Sequence, residues 1–500
     1  MSDKITVAPT LLGKRQALLL TNWLSSAPET LKAEEVSPQL GALLGLELPP
    51  SQKLYLLEEM FLRFERCLEE QASQFVDVRI PLRPAIYRKV NLLLDVIGDF
   101  ALGYEGILNA LAAGAPEDDL RLCLERTIFC LRAHLYVGYL VGCPASLGIW
   151  QRLHGAFLRS WQSTPNATLA PYTEALLLAT AKPATCTARE IACIASYARQ
   201  HAHLAQITEI MPKHPEGVFW IPLQQDFHAF PLNRRTPPPG ARVLYFSGYD
   251  IVTQTQIYLD DILQERARPE ILELVNSPQD GVHILEHLIA NWGRPGQRRF
   301  PRHRKSYRGM LCMGLSQIHA ALKQPELSPD LGLSQWIITN ESPDGYTLMF
   351  LSGVADPIDV GEIITLLPNA PQAQAPQGIT QRPVGIIRWV QSETPEHIEI
   401  GVQVLAPAAT PAILSIQNVE RQVEVLVLPG PPALPSASIL VTPTGIVTEQ
   451  NRGGILLARE GKPPCMVYVL TMREQNRHVE AFMIAEATPF PERTQAAGPR

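Results

Sequence analysis

The periodicity of apolar residues changes along this 500-residue chain, and that change limits the folds open to it. From residue 11 to about 210 the apolar positions recur at three- and four-residue spacing or its multiples, as in Leu54, Leu57, Phe61, Phe64 and Leu68, and again in Leu92, Leu93, Val96, Ile97, Phe100 and Ile107. Such spacing places one apolar stripe on each helix, so residues 1–212 are expected to form a helical bundle domain. Residues 213–292 read as a mixed α/β module: strands at Val218–Leu223 and Ala241–Ser247, separated by a stretch holding the rigid Pro237-Pro238-Pro239-Gly240, then helices at Asp250–Ala267 and Pro278–Trp292. Ser277, Pro278 and Asp280 supply a capping hydroxyl, a proline and an acid where the second helix starts. Further on the apolar runs shorten to strand length. Past residue 410 they fall at Glu424–Leu428, Ser438–Thr442, Gly454–Ala458 and Met466–Leu470, a strand-rich region over 409–487, with 488–500 expected to be a disordered tail. The fold class is multidomain α+β.

Composition excludes several functions. The formal net charge is −6, so no global positive field steers the chain to DNA, and an anion must be bound by a local patch. With 46% hydrophobic and 18% charged residues there is ample material for cores. Eight cysteines are scattered without a CxxC pair and the N-terminus carries no secretory signal, which suits buried thiols in a reducing cytoplasm. Leu135–Trp150 is the longest uncharged apolar stretch, yet it is short for a membrane span and contains Gly and Pro, so a buried helix hairpin is expected there.

Two polar segments interrupt the strand-like runs. Arg298-Arg299-Phe300-Pro301-Arg302 precedes the apolar run Met310–Leu315, and Asn340-Glu341-Ser342-Pro343-Asp344-Gly345 separates Trp336–Thr339 from Tyr346–Leu351. The order is an arm, a strand, then a hairpin. Arginine presents a planar fork of donors that clamps a phosphate, reads a guanine edge and stacks on a purine face. Gly345 allows a positive φ or a close backbone approach, and Asn340 and Ser342 can donate and accept at the turn. Gly293, Pro295 and Gly296, followed by crowded arginines, favour an arm that is mobile without ligand over Gly293–Lys305.

The R-x-x-x-R spacing of Arg298 and Arg302, with Arg299 between them, followed by [DN]-x-S-x-x-G in Asn340, Ser342 and Gly345, resembles the PilZ domain, a bacterial receptor module for cyclic di-GMP. Val360-Gly361-Glu362-Ile363, the Arg388-Trp389 pair ending Val384–Trp389, and Ile400–Val404 agree with the strands downstream of that motif. The resemblance covers about residues 294–407. Departures are Pro368–Arg382, read as a long loop, and Gln317–Asp330, read as an insert. The resemblance implies a six-stranded antiparallel β-barrel over 293–408 that binds cyclic di-GMP through Arg298, Arg299, Arg302, Asn340, Ser342 and Gly345. It implies a non-enzymatic receptor, without cofactor or metal, that controls surface motility, type IV pili or biofilm behaviour through an unidentified protein partner, from the cytoplasm or recruited to the cell pole. The helical region would then transmit the signal.

Two rival classes stay open: a scaffold whose barrel binds no nucleotide, and a metal-dependent hydrolase. His283-Ile284-Leu285-Glu286-His287 matches the H-x-x-E-H zinc pattern, but a third ligand is not identifiable and Val282, Leu285, Ile289 and Trp292 make an apolar stripe beside it. His201 and His203, two apart on a helix, point in roughly opposite directions. Glu174-Ala175-Leu176 reproduces the name motif of cyclic di-GMP phosphodiesterases without the several carboxylates that chemistry needs.

Overall fold

The computed structural model describes residues 11–486 except 112–114, 164, 214, 267–277, 297–299, 324–331, 354–356, 369–381, 417–421, 432–433, 435–436, 449 and 453–454. Ser277, most of the Pro368–Arg382 loop and the 488–500 tail therefore lie outside the described residues. The chain divides into two units, Met1–Arg298 and Arg299–Arg500.

Among the described residues the first unit begins with eight α-helices: α1 (Leu11–Ser26), α2 (Ala33–Leu44), α3 (Pro50–Ser73), α4 (Pro84–Ala110), α5 (Glu117–Leu140), α6 (Ile149–Ser163), α7 (Pro165–Thr180) and α8 (Ala188–His201). The stripe read from the sequence is the buried one. Leu54, Leu57, Phe61, Phe64 and Leu68 of α3 are all buried, and Phe61 meets Phe100, Tyr104 and Phe129 edge-on at 5.3, 5.8 and 5.6 Å. Leu135–Trp150 holds the end of α5 and the start of α6, but the connection between them is not buried as expected, since Leu147 is 98% exposed. Among the described residues no helix is long and apolar enough to cross a membrane.

A four-stranded antiparallel sheet follows, β1 (Gln206–Thr208), β2 (Val218–Ile221), β3 (Phe230–Pro231) and β4 (Leu244–Ser247), in the order β1-β4-β2-β3, and then α9 (Tyr249–Leu263) and α10 (Pro278–Gly293). One apolar core runs from Leu20 in α1 to Trp292 in α10, so the sheet and the last two helices share it with the bundle. The Trp292 indole donates to the Leu177 carbonyl at 3.0 Å, fastening α10 to α7.

The second unit holds two closed six-stranded barrels. The first comprises β5 (His303–Met313), β6 (Ser334–Ser342), β7 (Gly345–Gly353), β8 (Ile363–Pro368), β9 (Val384–Thr394) and β10 (His397–Ala406), ordered β10-β7-β6-β5-β8-β9 and antiparallel throughout. Between β5 and β6 lies α11 (Leu315–Lys323), reached through Gly314 at φ +85°. Gln317–Asp330, read from the sequence as an insert, thus starts inside a helix whose Ile318, His319 and Ala321 are buried.

The second barrel comprises β11 (Thr410–Ile416), β12 (Gln422–Pro429), β13 (Ser438–Pro443), β14 (Ile455–Arg459), β15 (Cys465–Gln475) and β16 (Val479–Glu486), ordered β11-β12-β13-β16-β15-β14. Counted from its own first strand, each barrel closes through the same circuit: first, second, third, sixth, fifth, fourth, and back to the first. The strand-rich region is therefore a second barrel with the topology of the first. Strand alternation serves two cores in β12: Val423, Val425 and Val427 fill the barrel, whereas Leu426 and Leu428 join Cys312, Ile318, Leu367 and Ile386 in a core shared by both barrels and α11.

Buried titratable groups give the first unit a pH dependence. His154 is fully buried with Nδ1 2.8 Å from the Tyr172 hydroxyl and Nε2 2.9 Å from the Phe227 carbonyl, and burial pulls its pKa down to about 4. Burial, and His154 nearby, take His228 to about 3. Both imidazoles stay neutral in the fold, while the unfolded chain takes up their protons below its pKa of about 6.5. Stability must fall as the pH drops through that value, by roughly 1.4 kcal/mol per pH unit for each histidine until the folded pKa is reached. Urea unfolding followed through the helical signal should therefore have a lower midpoint at pH 5 than at pH 7, with a smaller difference in His228→Phe. Equal midpoints would mean that these imidazoles are not held neutral.

Candidate functional site

Pairing of β5 with β6 brings the two polar segments together. His303 is opposite Glu341 and Arg304 opposite Asn340, so the residues just before β5 arrive beside the β6–β7 turn. Of Arg298, Arg299 and Arg302, the described one is Arg302, whose Nη1 donates to the Thr347 hydroxyl at 3.2 Å. Thr347 pairs with Asn340 on β6 and with Gly401 on β10. Arg298 and Arg299 lie outside the described residues. Strand structure starts earlier than the apolar run suggests: His303 and Arg304 are already paired, because backbone hydrogen bonds to β6 do not require apolar side chains. The arm expected over Gly293–Lys305 is thus shortened at its end. Arg302, Arg304, Lys305 and Arg308 are exposed, a cationic edge on a chain of net negative charge.

The turn itself is held by side chain and backbone. The Ser342 hydroxyl lies 2.8 Å from Asp344 Oδ1 and 3.2 Å from the Gly345 carbonyl oxygen, and its proton serves one of these acceptors at a time. The Val404 N–H donates to the Asp344 carbonyl at 3.0 Å, tying the turn to β10. Of the two sequence-based reasons for Gly345, the structure selects one. Its φ is not positive, but a Cβ at this position would run into the Val402 carbonyl oxygen on β10. Asn340 is half-buried.

Thr347, which accepts from Arg302, was not singled out by the sequence, because a threonine in a strand carries no distinguishing signal. Trp389 entered only as part of an Arg-Trp pair. It is half-buried, pairs with Gly401, and its indole occupies the space where a Cβ of Gly401 would stand. Asn340, Thr347, Gly401 and Trp389 are therefore successive cross-strand neighbours over β6, β7, β10 and β9. The Tyr307 hydroxyl is 3.4 Å from Glu341, and burial, then the Glu341 charge, push its pKa up, so it remains a neutral phenol.

The rival patterns have structural duties. In the H-x-x-E-H segment on α10, His283 and Glu286 are exposed, whereas His287 Nε2 is 2.7 Å from the Ala181 carbonyl and 3.1 Å from Asn291. That imidazole holds α10 against the end of α7, and burial lowers its pKa. Glu174 accepts from Arg132 at 2.9 Å in an ion pair little exposed to solvent. Among the described residues no group of three or more His, Cys, Asp or Glu could hold a metal.

A six-stranded antiparallel barrel with a cationic first strand set against a polar hairpin is what the resemblance to a PilZ domain implied. Comparison with known proteins agrees. The description "Cyclic-di-GMP receptor FimW, N-terminal domain" matches residues 16–214, and "Cyclic-di-GMP receptor FimW, middle PilZ domain" matches residues 323–411. The chain is 21% identical to the cyclic-di-GMP receptor FimW of Pseudomonas aeruginosa, over 88% of this chain and 86% of that protein. No solved structure matches. The chain belongs to the PilZ-domain family of cyclic di-GMP receptors. The middle-domain match contains Asn340, Ser342 and Gly345 and starts after the arginines.

Because β10 passes so close to Gly345, Gly345→Ala should destabilise the second unit by about 1–3 kcal/mol through overpacking. Thermal unfolding would read this as a lowered midpoint. An unchanged midpoint would show that β10 yields without cost.

Proposed function

We propose that the chain is a cyclic di-GMP receptor that binds the nucleotide through Arg298, Arg299, Arg302, Asn340, Ser342 and Gly345 and passes the signal on without chemistry. The observation that carries this reading is the convergence of Arg302 and the Asn340–Gly345 turn on one edge of the barrel. Two phosphates make the ligand doubly anionic, and a guanidinium fork meets a phosphate or a guanine edge with paired donors. Thr347 holds Arg302 beside the turn through its hydroxyl. Trp389, in line with Thr347 across β10, offers an aromatic face for a base. The names of the relatives support the nucleotide but say nothing of its downstream partner. The proposed output is control of surface motility, type IV pili or biofilm behaviour through a protein partner engaged by the helical unit.

Titration calorimetry tests the site. Arg302→Ala and Arg298→Ala should each weaken cyclic di-GMP binding by roughly tenfold or more, since a charge-assisted hydrogen bond is worth about 1.5–3 kcal/mol. Asn340→Ala and Ser342→Ala should cost less, being neutral groups. Identical titrations for both arginine variants would remove the assignment, and a wild-type chain that binds nothing would favour the scaffold with a non-binding barrel.

The nucleotide should also be recovered intact after incubation with the protein. Linear dinucleotide forming in proportion to protein would overturn the receptor reading in favour of a hydrolase.

A further inference from the structure

The second barrel touches the first along charged contacts that the proposed site does not use. Arg388 Nη1 and Nη2 pair with Glu474 Oε1 and Oε2 of β15 at 2.7 and 2.8 Å, a two-pronged contact. The same guanidinium donates through Nε to Gln403 Oε1 at 2.7 Å. Nearby, Arg477 and His478 of the β15–β16 turn reach Asp359 and Glu362, the latter pair at 3.1 Å, and Asn476 packs against Gly361.

Arg388 sits at a break in the strand register. Trp389 is opposite Gly401 and Ile387 opposite Val402, so Arg388 is the extra residue of a bulge in β9. A bulge bends its strand and re-aims the next side chain, here Trp389. At its other contact Gln403 is opposite Gly345 of the turn. Both neighbours of that part of β10 lack a Cβ: one on Gly345 would strike Val402, and one on Gly385 would lie 2.6 Å from the Gln403 carbonyl oxygen. With backbones packed so closely, a displacement of Gln403 reaches the turn directly. One carboxylate of the second barrel thus grips the residue that links the Trp389 bulge to the strand beside the Asn340–Gly345 turn.

At the corresponding places the sequence of the second barrel differs from that of the first. The residues leading into β11, Ala406-Pro407-Ala408-Ala409, contain no arginine, and its second and third strands are joined through the proline-rich Gly430–Ala437 rather than an N-x-S-x-x-G turn.

We infer that the C-terminal barrel is a built-in positioning partner of the nucleotide barrel, with Glu474 as the positioning residue that sets the Asn340–Gly345 turn and Trp389 through Arg388 and Gln403. The inference rests on the site proposed above. By linkage, the nucleotide must then stabilise the Glu474–Arg388 contact as much as that contact favours the nucleotide.

The test uses the full chain and its Glu474→Gln and Arg388→Glu/Glu474→Arg forms. Hydrogen exchange without ligand should quicken at residues 342–346 and 402–404 in Glu474→Gln and return to the wild-type rate in the charge swap. Calorimetry with cyclic di-GMP should show binding weakened by about three- to tenfold in Glu474→Gln and recovered in the swap. Unaltered exchange at the turn overturns the inference, as does a loss of protection spread evenly over both barrels. Wild-type affinity in Glu474→Gln, while Arg302→Ala is weakened, also overturns it and leaves the site standing. A wild-type chain that binds no nucleotide removes the site assignment, and the exchange rates alone then decide whether Glu474 positions the turn.

Discussion

Backbone hydrogen bonding between the charged start of β5 and the end of β6 is the constraint on which the proposed site depends. Arg302 and Asn340 are far apart in sequence, and the side chains at the start of β5 would not collapse together, since like charges repel. Main-chain pairing of His303 with Glu341 and Arg304 with Asn340 overrides that repulsion locally. The buried half of the same strand, Gly309 to Met313, anchors it in the barrel, so apolar burial at one end holds charge in place at the other.

A second constraint is the core shared by the two barrels. A small barrel buries little of its surface on its own, and each here gains from the other through α11. His319 of that helix is buried with Nε2 3.1 Å from the Ala412 carbonyl and Nδ1 3.4 Å from Glu424, so both its ring nitrogens face the second barrel. An interface apolar at its centre and charged at its margin can be firm while its rim responds to ions or ligands. The Glu474–Arg388 and Arg477–Asp359 contacts form part of that rim.

Much of this was legible in the sequence, for a physical reason. Helix stripes are regular, and Leu54 to Leu68 could be assigned to a core face without any knowledge of their partners. Strands were harder. Val425–Leu428 is apolar without alternation because the strand is buried on both faces, which local sequence does not reveal. The helix α11 spans only Leu315–Lys323, too short for periodicity to separate it from a loop, and its burial comes from a barrel encoded about a hundred residues later. The closed topology of 409–487 was hidden likewise, since β11 pairs with β14, and β13 with β16, across intervening strands. At the candidate site, the residue types named the donors and acceptors that the proposal uses, but not the strand pairing that sets Arg302 beside Thr347. The contacts of Thr347 and Glu474 were not legible either, because they depend on which strands pair and which barrels meet.

The proposed receptor role asks something different of this edge from what catalysis would. Hydrolysis of a phosphodiester needs charge stabilised as it develops and a water activated by a metal or a base. The edge instead presents guanidinium donors, a hydroxyl committed to its own turn, an amide and an indole. Two carboxylates of this region have partners of their own: Asp344 accepts from Ser342 and Glu341 lies beside the Tyr307 hydroxyl. What such a set does well is bind an anion with an aromatic base. The energy gained is then available to change the arrangement of neighbouring strands, which here lead through Gln403 and Arg388 into a second barrel.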